Sequence, residues 1–163
     1  MDDSQQTMTT LRGEGTVCFP LDVKQQRVLL GMKMQGVGAG YYNGFGGKIE
    51  VCETPAVAAA RELWEESGLI VGADSLQPMG HVLFTHAQVR MHVYVAMAWA
   101  GLPTESNEMV PQWFPLTGLP YVQMWPTDRD WLPHVLAGQR VTVVVYKHSD
   151  GRRTSSVQVV DAL

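Results

Sequence analysis

The chain has 163 residues, 45% apolar and 17% charged, with a formal net charge of −4 when histidine is neutral. That balance fits one globular domain of ordinary size, and the lack of a lysine or arginine stripe argues against a nucleic-acid polymer as partner. No apolar run approaches membrane-spanning length, no signal-peptide pattern opens the chain, and the spacing of Cys18 and Cys52 suits neither a disulfide nor a metal, so a cytoplasmic setting without membrane contact is expected.

In chain order, Met1 to Gly15 reads as a polar, flexible start, and residues 16–163 as a single domain without repeats or linker. Thr16–Leu21 and Arg27–Lys33 are predicted strands around a turn at Asp22–Gln26. Gly36–Gly47 holds six glycines in twelve residues and is predicted to be a loop with unusual backbone demands. Thr54–Ser67 is the best helix, with Thr54 as N-cap, Pro55 at the first helical position and Gly68 as the stop. Met79–Phe84, Val89–Ala100 and Gln112–Leu116 read as strands, and Asp128–Ala137 as a second helix that carries Pro133. Val141–Tyr146 and Thr154–Val160 close the chain as a hairpin. Many strands with two helices and no regular alternation predict a mixed α+β sandwich.

The first helix carries the chemistry. Glu62, Glu65 and Glu66 stand at i, i+3 and i+4, which stacks three carboxylates on one helical face. Like charges there repel, whereas oxygen-rich clusters suit hard cations such as Mg²⁺, so an acidic protein can still take an anionic polyphosphate with the cation between them. A solvated acidic face is the competing explanation of three glutamates alone. The wider pattern decides against it: Gly47, five residues, Glu53, seven residues, then Arg61-Glu62-Leu63-Trp64-Glu65-Glu66-Ser67-Gly68-Leu69. A chance match to so many fixed positions is on the order of one in 10⁸ or rarer per starting position.

This segment is similar, without a departure, to the signature of the Nudix hydrolases. The resemblance implies an α/β/α sandwich with a mixed sheet and a loop-helix-loop that binds Mg²⁺, or Mn²⁺ in its place. It implies metal ligands at Glu62, Glu65, Glu66, Glu108 and the Gly46 carbonyl, with Arg61 and Glu53 orienting the carboxylates. Glu66 and Glu108 are both candidates for the base that takes a proton from the attacking water.

Three further segments speak to the substrate: Asn43-Gly44-Phe45-Gly46-Gly47-Lys48, Glu105 to Met109, and Met124-Trp125-Pro126 with Asp128 and Trp131. Each alone is ordinary turn chemistry, a loop before a strand, or core aromatics. Together they resemble the vertebrate-type MutT homologues, a branch that hydrolyses oxidised purine nucleoside triphosphates such as 8-oxo-dGTP and 2-hydroxy-dATP. That resemblance implies Trp125 as the plane on which the base stacks, Met109 opposite, and Phe84 and Trp131 as walls. It also implies Asn43, Thr127 and Asp128 at the polar edge of the base, with Lys33 as a further substrate-binding residue. Thr127 stands where that branch has the first of two adjacent aspartates, Tyr42 replaces a tryptophan and Val37 a phenylalanine, so an altered purine preference is expected. Hydrolysis of another nucleoside or pterin polyphosphate, and a non-catalytic nucleotide-binding module, are the competing readings. The expected partner is a small-molecule nucleoside triphosphate, and the expected state a monomer.

Overall fold

A computed structural model describes residues 10–160. Strand β1 (Gly13–Asp22) and β2 (Arg27–Lys33) meet only at their shared hairpin, where Leu21 faces Val28 and Asp22 faces Arg27. Further along, β2 pairs instead with the two-residue β3 (Tyr42–Asn43), while β6 (Met109–Pro115) pairs with β2 along its whole length. The glycine-rich loop takes the vacated place beside β1, bridging Cys18 to Phe45 and Gly15 to Lys48. The other edge of β1 runs parallel to β5 (Val89–Ala96), and the sheet continues through β4 (Gln77–Phe84), β7 (Arg140–Lys147) and β8 (Arg153–Val160).

Alternation along the strands sends side chains to two separate cores. On one side α1 (Pro55–Ser67) lays Ala59 and Leu63 against Cys18, Leu29, Phe45 and Tyr94. On the other, α2 (Asp128–Leu136) lays Trp131, Leu132 and Val135 against Phe19, Leu30 and Val143. The result is an α/β/α sandwich with a mixed sheet, as the resemblance implied. Leu63 is fully buried, so truncating it to alanine costs about 2–5 kcal/mol. Among the described residues no helix is long and apolar enough to cross a membrane.

The helix boundaries follow from their caps. The Thr54 hydroxyl accepts from the Val57 amide at 3.2 Å, and Gly68 ends α1 in the left-handed region at φ 77°. Pro133 lies inside α2, which nonetheless holds because its buried face offsets the lost backbone hydrogen bond. Several predicted bounds are corrected. β1 begins at Gly13 rather than Thr16, so Gly13–Gly15 belong to the sheet, and the rest of the expected flexible start lies largely outside the described residues. β5 ends at Ala96 rather than Ala100, with Ala100 only bridging Ile70. β3 was hidden within the predicted loop, where two residues give no readable alternation.

Candidate active site

The loop that replaces β2 beside β1 presses against the acidic face of α1. A methyl group on Gly46 would lie 1.7 Å from the Thr16 carbonyl, so that position requires glycine for close backbone approach, and one on Gly47 would lie 2.5 Å from Glu62 Oε1 and displace that carboxylate. The Gly46 amide donates to Glu66 Oε1 at 2.7 Å. The Gly47 carbonyl is taken by the Thr16 amide, whereas among the described residues the Gly46 carbonyl accepts no hydrogen bond. That leaves its oxygen free to accept.

Arg61 organises the carboxylates from behind. It donates to both oxygens of Glu53 at 2.7 and 2.8 Å, to the Lys48 carbonyl at 3.1 Å, to Glu62 at 3.0 Å and to Glu65 at 3.3 Å. Hydrogen bonding to Arg61 holds the Glu53 carboxyl below the usual range. Burial pushes Glu62 the other way, upward, despite Arg61. Glu66 is 4% exposed, and burial, helped by the charges of Glu62 and Glu108 and opposed by Gly46 and Lys33, pushes its carboxyl up to about 8. Glu65 remains 47% exposed, and Glu108 lies on the exposed loop before β6.

Among the described residues no three acidic, imidazole or thiol groups converge closely enough to hold an ion. The reason is local: Arg61 draws Glu62 and Glu65 to itself, while Glu66 is turned to the Gly46 amide. The donor set still fits a hard divalent cation. Its members are carboxylate and carbonyl oxygens, and Glu62 and Glu66 are desolvated carboxyls whose charges oppose each other and that of Glu108.

From Glu66 a cleft of about 340 Å³ runs between β1, the glycine-rich loop, the end of β4 and the start of α2. Lys33, Asn43, Gly46, Phe84, Met109, Trp125, Asp128 and Trp131 all line it. Sequence segments far apart in the chain are thus brought to one wall. Burial pushes the Asp128 carboxyl up to about 7, with the Trp125 backbone and Arg153 acting against it and Asp130 adding to it. The Asn43 amide group donates to the Tyr41 carbonyl at 3.1 Å, which fixes its orientation at the cleft.

One expected member of the polar edge is placed differently. Thr127 is 3% exposed and is not among the residues lining the cleft. It occupies the N-cap position of α2 without a side-chain capping bond. Val37 does line the cleft, although it is 82% exposed, so it sits at the mouth. Other lining residues were missed, among them Thr16, His86, Met91 and Arg153. They lie on β1, β5, β8 and the loop after β4, and nothing in their local spacing marks them, because only the sheet order makes them neighbours.

Comparison with known proteins agrees with this geometry. The NUDIX domain profile matches residues 11–135. The chain is 48% identical over 120 residues to the "Oxidized purine nucleoside triphosphate hydrolase" of Mus musculus, covering 71% of this chain and 76% of that one. It is 46% identical over 124 residues to the protein of the same name from Danio rerio, covering 74% and 78%. Among solved structures, the mutator MutT protein of Bacillus halodurans superposes with a TM-score of 0.74 at 22% identity, over 89% of this chain and 97% of that chain, a likeness of fold.

Proposed function

The chain belongs to the Nudix family, and from that premise we propose that it hydrolyses oxidised or otherwise modified purine nucleoside triphosphates to the monophosphate and pyrophosphate. Membership makes it a hydrolase of phosphoric anhydride bonds acting on small-molecule nucleotides, with a divalent metal as the family's general requirement. The observation that carries the finer reading is the continuity of one cleft from Glu66 to Trp125 and Asp128. A carboxylate cluster at one end and an aromatic slot with a polar edge at the other match a triphosphate and a purine on the same molecule.

Glu62, Glu65, Glu66 and the Gly46 carbonyl, with Glu108 from the facing loop, are the proposed ligands. A Mg²⁺ ion held there would neutralise phosphate charge and lower the pKa of an attacking water. Arg61, fastened by Glu53, positions Glu62 and Glu65. Glu66 and Glu108 are the residues proposed to accept the proton of that water. Lys33, whose charge acts on Glu66, is the residue proposed to meet phosphate oxygens. Trp125 and Met109 offer apolar surfaces to the base, and Asp128 as carboxylate accepts from N–H groups of a guanine-like edge. We assign this work to the monomer in the cytoplasm, with the domain that opens at β1 as the working unit.

The test is initial pyrophosphate release with Mg²⁺ across 8-oxo-dGTP, dGTP, 2-hydroxy-dATP, N6-methyl-dATP and ADP-ribose at low concentration. A strong preference for a modified purine is the expected result. Weak, even rates across the panel would sink the role in cleaning the nucleotide pool. Nucleotide binding without pyrophosphate release would point to a non-catalytic module.

A further inference from the structure

Arg153 opens β8, far along the chain from both the carboxylate helix and the tryptophan loop, yet it lines the same cleft. Its guanidinium carbon lies 4.6 Å from the Trp125 ring centroid, within the range of a cation–π contact. Tyr41 also packs on that indole, at 5.2 Å and 31°, but Tyr41 is not among the lining residues. Arg153 is half-buried, and among the described residues its guanidinium makes no ion pair and donates no side-chain hydrogen bond.

An arginine carries five N–H donors and no acceptor. In a narrow slot that a ligand dries out, such donors must find acceptors or leave a desolvated charge unpaired. The charge of Arg153 is felt by Asp128 and His86, whereas Lys33 is the cation felt by Glu66. Arg153 thus belongs to the base end of the cleft rather than to the phosphate end.

We propose that Arg153 is a specificity-determining residue that contacts the substrate, donating to a carbonyl oxygen of the purine while Asp128 accepts from its N–H groups. This rests on the base slot proposed above. A donor fork and a carboxylate side by side complement a base that presents a carbonyl next to N–H donors. A purine carrying only an amino group on that edge leaves the guanidinium unmatched, so Arg153 favours oxo-purines.

The experiment compares wild type, Arg153→Ala and Arg153→Lys on 8-oxo-dGTP and dGTP against dATP and N6-methyl-dATP, with KM and kcat resolved separately and melting temperature as the folding control. The expected result for Arg153→Ala is a KM about 10-fold higher for the two carbonyl-bearing purines. Its kcat should be little changed, as should both constants for the amino purines. Arg153→Lys keeps the charge without the planar fork and should recover only part of the loss. Equal loss across all four nucleotides would overturn the assignment, since it would mean a phosphate contact or a collapsed slot. Unchanged or lower KM for the carbonyl purines would overturn it as well. A wild type that fails to separate the two classes of purine would overturn the base slot itself, and Arg153 with it.

Discussion

Glu66 and Asp128 are the two carboxyls that burial perturbs most in the cleft, to about 8 and about 7, and they do different work. Glu66 faces the Gly46 amide, Glu62, Glu108 and Lys33, at the end assigned to the phosphates. Glu66→Gln keeps the shape and one acceptor oxygen for Gly46 but loses the charge, so turnover should fall by about 100-fold or more while the fold and nucleotide-monophosphate binding persist. Near-normal rates in that variant would show that the metal site is misplaced. Asp128 faces Arg153, Asp130 and the Trp125 backbone, at the base end. Below pH 7 it gains a proton and loses acceptor capacity. Binding of 8-oxo-dGMP, followed by tryptophan fluorescence, should therefore weaken as pH falls through about 7. Asp128→Asn should bind about 10-fold more weakly at high pH and show no such step. If it weakened every nucleotide alike, Asp128 would be a structural residue at the helix start.

The element that matters most is α1 with the loop before it. Its N-cap, the stop at Gly68 and the apolar spacing of Ala59 and Leu63 could all be read directly, because local rules set helix ends and faces. Thr54→Ala removes the bond to the Val57 amide and should cost about 1 kcal/mol by chemical denaturation. It leaves the carboxylates in register, so kcat should scarcely move in the folded protein. A large drop in kcat at unchanged fold would mean that the helix start tunes the site directly. The Glu53–Arg61 pair was also legible, at a spacing of eight residues across the helix start. Glu53→Ala should cost about 10- to 100-fold in activity or metal affinity, because Arg61 would lose its anchor. Less legible was the conflict inside the cluster: helical periodicity places Glu62, Glu65 and Glu66 together, but cannot show that Arg61 and the Gly46 amide divide them.

At the scale of the whole molecule, the buried carboxyls tie stability to pH and to metal. The ordinary values of Glu66 and Asp128 are 4.5 and 3.8, and both are raised in the folded protein. The folded state then holds protons that the unfolded chain releases, so stability falls as pH climbs from about 4 to about 8. Glu53, held low by Arg61, acts in the opposite sense only below its ordinary value of 4.5, and His81 and His86, lowered from 6.5 by burial, oppose the trend from about 6.5 downward. Between pH 5.5 and pH 8 metal-free wild type should accordingly lose more melting temperature than metal-free Glu66→Gln. Adding Mg²⁺ at 100 times its Kd should restore about 2.7 kcal/mol at the higher pH. Parallel profiles in the two metal-free proteins would mean that Glu66 is solvated in solution.

What the sequence determined by itself is whatever depends on neighbours along the chain. The carboxylate helix, its caps, the Arg61 anchor and the tryptophan loop rest on spacings of a few residues, and the motif around them carries the family. Tertiary structure alone decided which distant residues share a wall. It brought Arg153 of β8 onto Trp125, buried Thr127 at the start of α2, and replaced β2 with the glycine-rich loop beside β1. Those outcomes depend on sheet order and on burial against two cores, which no local pattern encodes.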